Sequence, residues 1–87
     1  MPERYRIEIK QSAAKELRAI GRSKDRQRIV ARIGALADDP RPPGCSKLSG
    51  QDAFRVRQGE YRIVYTVADE VLVVEVIKIG NRRDVYR

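Results

Sequence analysis

A chain of 87 residues has room for one domain, spanning 1–87, and at this size folding buries only about 60% of the surface that the unfolded form exposes. With no histidine and a single cysteine, Cys45, the composition excludes histidine acid–base catalysis, an internal disulfide and a cysteine metal cluster. Lys and Arg number 19 against 12 Asp and Glu, a net +7. That excess points to a polyanionic partner (RNA, DNA, an acidic protein or an anionic surface), or else to a solvated basic surface with no specific partner.

From the N-terminus, Tyr5, Ile7 and Ile9 alternate with Arg6, Glu8 and Lys10, which predicts a half-buried strand. The same alternation of charge and apolarity leads us to expect no secretory leader, and no apolar run approaches the roughly 20 residues that cross a bilayer. Ser12 is the expected N-cap of a first helix with Ala13, Leu17 and Ile20 on one face. Gly21 and Ser23 interrupt that helix. A second begins with Asp25 in its first turn and carries Ile29, Val30, Ile33, Leu36 and Ala37 as its apolar stripe. Asp38-Asp39-Pro40 ends it, and Pro42-Pro43-Gly44 prevents its continuation.

Beyond the prolines the period returns to two. Phe54 and Val56 alternate with Arg55 and Arg57. Gln58-Gly59-Glu60 makes a turn, and Tyr61, Ile63, Tyr65 and Val67 follow at alternate positions. After a second turn at Ala68-Asp69-Glu70, the run Val71 to Ile79 has the length and apolarity of a central strand, and Gly80 ends it. The predicted fold class is α+β: an N-terminal strand, a two-helix hairpin, then an antiparallel sheet of three further strands, with the helices on one sheet face.

The hairpin has one register that keeps its apolar residues together. Phe54 and Val56 share the buried face with Ile63 and Tyr65, so Arg57 stands opposite Arg62, and Arg55, Arg57 and Arg62 share the uncovered face. Three like charges that close repel one another, an arrangement that makes sense around an anion. The plainer alternative is a solvated face on which the side chains spread apart. Arg82 and Arg83 follow the strand expected beside this hairpin. Tyr86 offers a ring for stacking on a base, a phenol for proton transfer, or an aromatic plug at the core edge.

Three stretches carry a resemblance. They are 36–50 (LADDPRPPG running on to KLSG), 54–65 (FRVRQGEYRIVY) and 73–86 (VVEVIKIGNRRDVY). Together they resemble the RelE branch of the RelE/ParE superfamily, the toxins of type II toxin–antitoxin pairs, over nearly the whole chain. The lone cysteine fits a reducing cytoplasm, and the 12 scattered acids lead us to expect no metal and no cofactor. The resemblance implies an endoribonuclease that enters the ribosomal A site. There it cuts mRNA by attack of a ribose 2′-hydroxyl on the adjacent phosphorus. It also implies a cognate antitoxin that masks the basic face, contact with DNA only indirectly through the toxin–antitoxin complex, and no membrane partner.

Carried over residue by residue, the family's basic positions in the first hairpin strand fall on Arg55 and Arg57. Its arginine in the next strand falls on Arg62, the arginine after the glycine on Arg82, and the terminal tyrosine on Tyr86. The candidate catalytic residues are therefore Arg57, Arg62, Arg82 and Tyr86, and the candidate RNA contacts are Arg55, Arg83, Asn81 and Lys47. Some members carry lysine at positions 55 and 57. Arginine holds its proton in proteins, so neither residue here serves as a general acid or base. Two other functions fit the same fold: a ParE-like inhibitor of DNA gyrase, and an RNA-binding homologue that does not cut.

Overall fold

Strand β1 (Arg6–Ile9) turns at Lys10 straight into helix α1 (Gln11–Arg18), and α2 (Ser23–Ala35) follows after a four-residue break. The rest of the chain is sheet: a two-residue strand β2 (Ser46–Lys47), then β3 (Ala53–Gln58), β4 (Tyr61–Ala68) and β5 (Val73–Asn81). The structure is a computed structural model and describes residues 4–48, 50 and 52–81. Arg82, Arg83 and Tyr86 lie outside the described residues.

The five strands lie in the order β1-β5-β4-β3-β2. The predicted α+β architecture is what forms, with two additions. The sheet is mixed, because β1 runs parallel to β5, with Ile7 beside Val74 and Ile9 beside Val76. Alternation tells which face a side chain takes and leaves strand direction open. The short β2 also adds an outer edge beside β3.

Both helices pack on one sheet face. Ala13, Ile20, Ile29, Ile33 and Leu36 meet Val56, Ile63, Tyr65, Val74, Val76 and Ile79 in a single core. The hairpin register is the expected one, with Phe54 opposite Tyr65, Val56 opposite Ile63 and Arg57 opposite Arg62. Gly59 makes the two-residue turn possible, since its φ of 61° at the first central position suits a type II′ hairpin. In β5 the pairing skips a residue: Val64 faces Lys78 while Tyr65 faces Val76, which leaves Ile77 as a bulge. The bulge changes the phase of the strand, so Val74, Val76 and Ile79 all reach the core although 76 and 79 are three apart.

Three local expectations are corrected. The first helix begins at Gln11 with Lys10 at the N-cap and no side-chain cap, so Ser12 lies inside the first turn. Val30 is 53% exposed, because Ile29, Ile33 and Leu36 at spacings of four and three define the buried stripe and Val30 falls on its flank. The last strand starts at Val73. Val71 and Leu72 belong to the turn, where Leu72 takes a φ of 54°.

Candidate nucleic-acid interface

The sheet face away from the helices carries the arginines. Because opposed residues of an antiparallel pair point the same way, one row across this face reads Arg57, Arg62, Gly80, and the next reads Ser46, Arg55, Val64, Lys78. Opposed Cα atoms stand about 4.5–5.5 Å apart, so Arg57 and Arg62 are immediate neighbours. The Gln58–Tyr61 turn holds this end of the hairpin. Tyr61, opposite Asn81 on the helix side, is half-buried beneath it.

The expectation that all three hairpin arginines share an uncovered face is met in its register and fails in its exposure. Arg57 is exposed and Arg55 half-buried, but Arg62 is only 1% exposed. Arg62 lies in β4, the middle strand of five, and Val64 two residues further on is also closed off, at 6%. The centre of this face is therefore withdrawn from water while its β3 flank is open. A buried guanidinium carries a desolvation penalty of several kcal/mol before its partners offset it. A sequence selected for stability alone would place an apolar residue there. Among the described residues, Arg55 and Arg57 form no ion pair and no side-chain hydrogen bond.

Lys47 does not join this group. It faces Phe54 across the β2–β3 pair and so points to the helix side, within 3.9 Å of Asp52, while Ser46 takes the place beside Arg55. Asn81 ends β5 opposite Tyr61, likewise on the helix-side set of positions. Two residues that the sequence reading passed over, Lys78 and Glu16, are better placed. Lys78 stands in the Arg55 row, and its Nζ meets Oε2 of Glu16 at 3.0 Å; Oε1 of the same carboxylate accepts the Ile79 N–H at 3.0 Å. The signal for Lys78 was a charge, one of two with Glu75, inside an apolar run. The bulge at Ile77, invisible in the sequence, decides which face that charge takes.

The far end of the sheet holds another arginine in a different setting. Arg41 forks onto Asp69, at 2.8 and 3.2 Å, and lies over the Phe54 ring at 5.2 Å. The Tyr5 hydroxyl donates to the same carboxylate at 2.6 Å. The Arg41 fork, then the Tyr5 hydroxyl, lower the Asp69 pKa to about 2. Behind them Phe54 stacks on Tyr65, whose hydroxyl donates to the Pro40 carbonyl at 2.7 Å. Burial above all, with Cys45 alongside, pushes the Tyr65 phenol well above its ordinary pKa. These contacts tie β1, the proline loop and the β4–β5 turn together.

Comparison with known proteins agrees with this architecture. The profile of the family described as "ParE toxin of type II toxin-antitoxin system, parDE" matches residues 7–86. The mRNA interferase toxin RelE of Escherichia coli is 35% identical over 81 residues, covering 90% of this chain and 83% of that one. The chain belongs to the RelE/ParE superfamily of toxins. The toxin's fold is similar to a chain of the archaeal RelE–RelB complex from Pyrococcus horikoshii, with a TM-score of 0.82, 27% identity and coverage of 97% and 99% of the two chains. It is also similar to a chain of the intact E. coli RelBE toxin–antitoxin complex, with a TM-score of 0.77, 32% identity and coverage of 88% and 95%.

Proposed function

We propose that the toxin is an endoribonuclease of the cytoplasm that cuts mRNA in the ribosomal A site, without metal, by attack of a 2′-hydroxyl on the neighbouring phosphorus. The observation that carries this reading is the Arg57–Arg62 pair with Arg55 on the same face: like charges set side by side where a phosphodiester would offset them. The similarity to the mRNA interferase RelE supports it.

Cleavage of this kind needs in-line geometry, stabilisation of the phosphorane charge and two proton transfers. The ribosome and the basic face hold the mRNA splayed, which supplies the geometry. Arg62 and Arg82 donate to the equatorial oxygens, each worth ~3 kcal/mol by analogy with an oxyanion-hole donor. Arg57 supports the leaving side, and Arg55 grips the flanking phosphate or rRNA together with Arg83. Arg62 is 1% exposed in the state described, so this role requires its guanidinium to be uncovered when RNA binds. Lys47 and Asn81, facing away from this row, contribute at most at its rim. With no histidine in the chain, Tyr86 is the candidate for proton transfer, and stacking on the base beside the cut is its other role. Glu60, exposed in the hairpin turn, is a weaker base candidate.

A cognate antitoxin masks the basic face and silences the toxin, and contact with DNA comes only through that complex. The RelE–RelB complexes of the similar proteins support the antitoxin partner.

Primer extension on mRNA bound to purified ribosomes tests the reading. The toxin is expected to cut in the A site, in excess chelator, and to leave a message with a 2′-deoxy nucleotide at the scissile position intact. Cleavage of the deoxy message would refute the 2′-hydroxyl mechanism. Tyr86→Phe is expected to slow cutting by about tenfold or more while ribosome binding holds; equal losses in both would leave the hydroxyl without a role. A second reading, inhibition of DNA gyrase, is favoured by the match to the ParE family profile. Loss of supercoiling activity in the presence of the toxin, with mRNA left intact, would select it.

A further inference from the structure

The pairing of β1 with β5 ends at Ile9 and Val76, and the next residue, Lys10, gives its N–H to the Val76 carbonyl before the chain turns into α1. From Lys78 onward the outer edge of β5 therefore faces a helix instead of a strand. A backbone N–H on such an edge needs a partner from elsewhere. Glu16, in the second turn of α1, supplies it: Oε1 accepts from the Ile79 N–H at 3.0 Å, and Oε2 meets Lys78 Nζ at 3.0 Å. The next residue after Ile79 is Gly80, which faces Arg62 across the β4–β5 pair, and Asn81 beyond it faces Tyr61.

We infer that Glu16 is a positioning residue for the arginine site, in which its side-chain oxygen takes the place of the missing β1 ladder and fixes the end of β5 beside Arg62. The inference rests on the reading of this face as the RNA-cleaving site. What the backbone needs from residue 16 is an acceptor at the right reach, not a charge. Glutamine keeps that acceptor and loses the charge. Aspartate keeps the charge and is one methylene too short to touch the Ile79 N–H.

The test compares Glu16→Gln and Glu16→Asp with the wild type in three measurements on the full chain: single-turnover mRNA cleavage on saturating programmed ribosomes, ribosome affinity, and amide hydrogen exchange at Ile79 by NMR. Glu16→Asp is expected to cut about tenfold more slowly with affinity within about twofold of wild type, and its Ile79 amide to lose protection. Glu16→Gln is expected to recover most of the rate and the protection. Equal rates for Glu16→Asp and wild type would overturn the inference, as would slow cleavage with the Ile79 amide still protected, or a Glu16→Gln variant no faster than Glu16→Asp. A wild type that leaves mRNA intact overturns the cleavage reading instead, a result distinct from any of these.

Discussion

The two ends of strand β4 treat arginine in opposite ways. Just past its C-terminal end, Arg41 has a carboxylate in its fork, a ring beneath it and a tyrosine sharing the same acceptor. Near its N-terminal end, buried Arg62 stands next to Arg57, which is exposed and has no ion pair among the described residues. The first arrangement is complete within the chain and serves to join segments. The second leaves Arg55 and Arg57 with charge that no described residue offsets, the pattern expected where an outside anion completes the group.

Replacing Arg62 by Met should give the largest contrast. Cleavage is expected to fall by ~100-fold or more in a variant that still folds, because the guanidinium gives way to an apolar side chain of similar length. Near wild-type cutting would remove Arg62 from the site, and a collapsed melting temperature would make it structural. At the other end the expectations reverse. Tyr65→Phe strands the Pro40 carbonyl and should cost about 1–2 kcal/mol in urea unfolding, while cleavage per folded molecule stays at wild type. A loss of activity there would erase the division between the two ends.

The smallest effect concerns acid. The pKa of Asp69 is depressed to about 2, chiefly by the Arg41 fork and then by the Tyr5 hydroxyl. A depressed carboxylate contributes stability that is fully present above its unfolded value near 4 and is lost as pH falls through about 2. Asp69→Asn should therefore flatten the stability profile between pH 4 and 2: the variant is less stable than wild type at neutrality, by a small amount because solvent screens this exposed cluster, and the two converge toward pH 2. An unaltered acid profile would show that the Arg41–Asp69–Tyr5 contacts carry no stability.

The hairpin was the most legible part of the chain, because four apolar residues at alternate positions admit one register, and that register sets Arg57 against Arg62. The helical pair was legible for the same reason, although Val30 shows that an apolar residue on the flank of a stripe remains exposed. Non-local facts were hidden. The parallel β1–β5 pairing joins residues more than 60 positions apart, and the two-residue β2 is too short to give a period. The bulge at Ile77 cannot be read from a run in which nearly every residue is apolar, so the face taken by Lys78 was undetermined. Burial of Arg62 was equally out of reach, because an arginine between two apolar residues looks the same whether its face is wet or closed.

The central claim is that neighbouring β-strand arginines act on one phosphate, and a double-mutant cycle on cleavage measures it most directly. Single-turnover rates on saturating programmed ribosomes would be taken for Arg57→Ala, Arg62→Ala and the double variant. If both guanidiniums serve the same phosphodiester, the second substitution costs much less once the first is made. Losses that simply multiply would mean that the two arginines work independently, and would contradict a shared phosphate site.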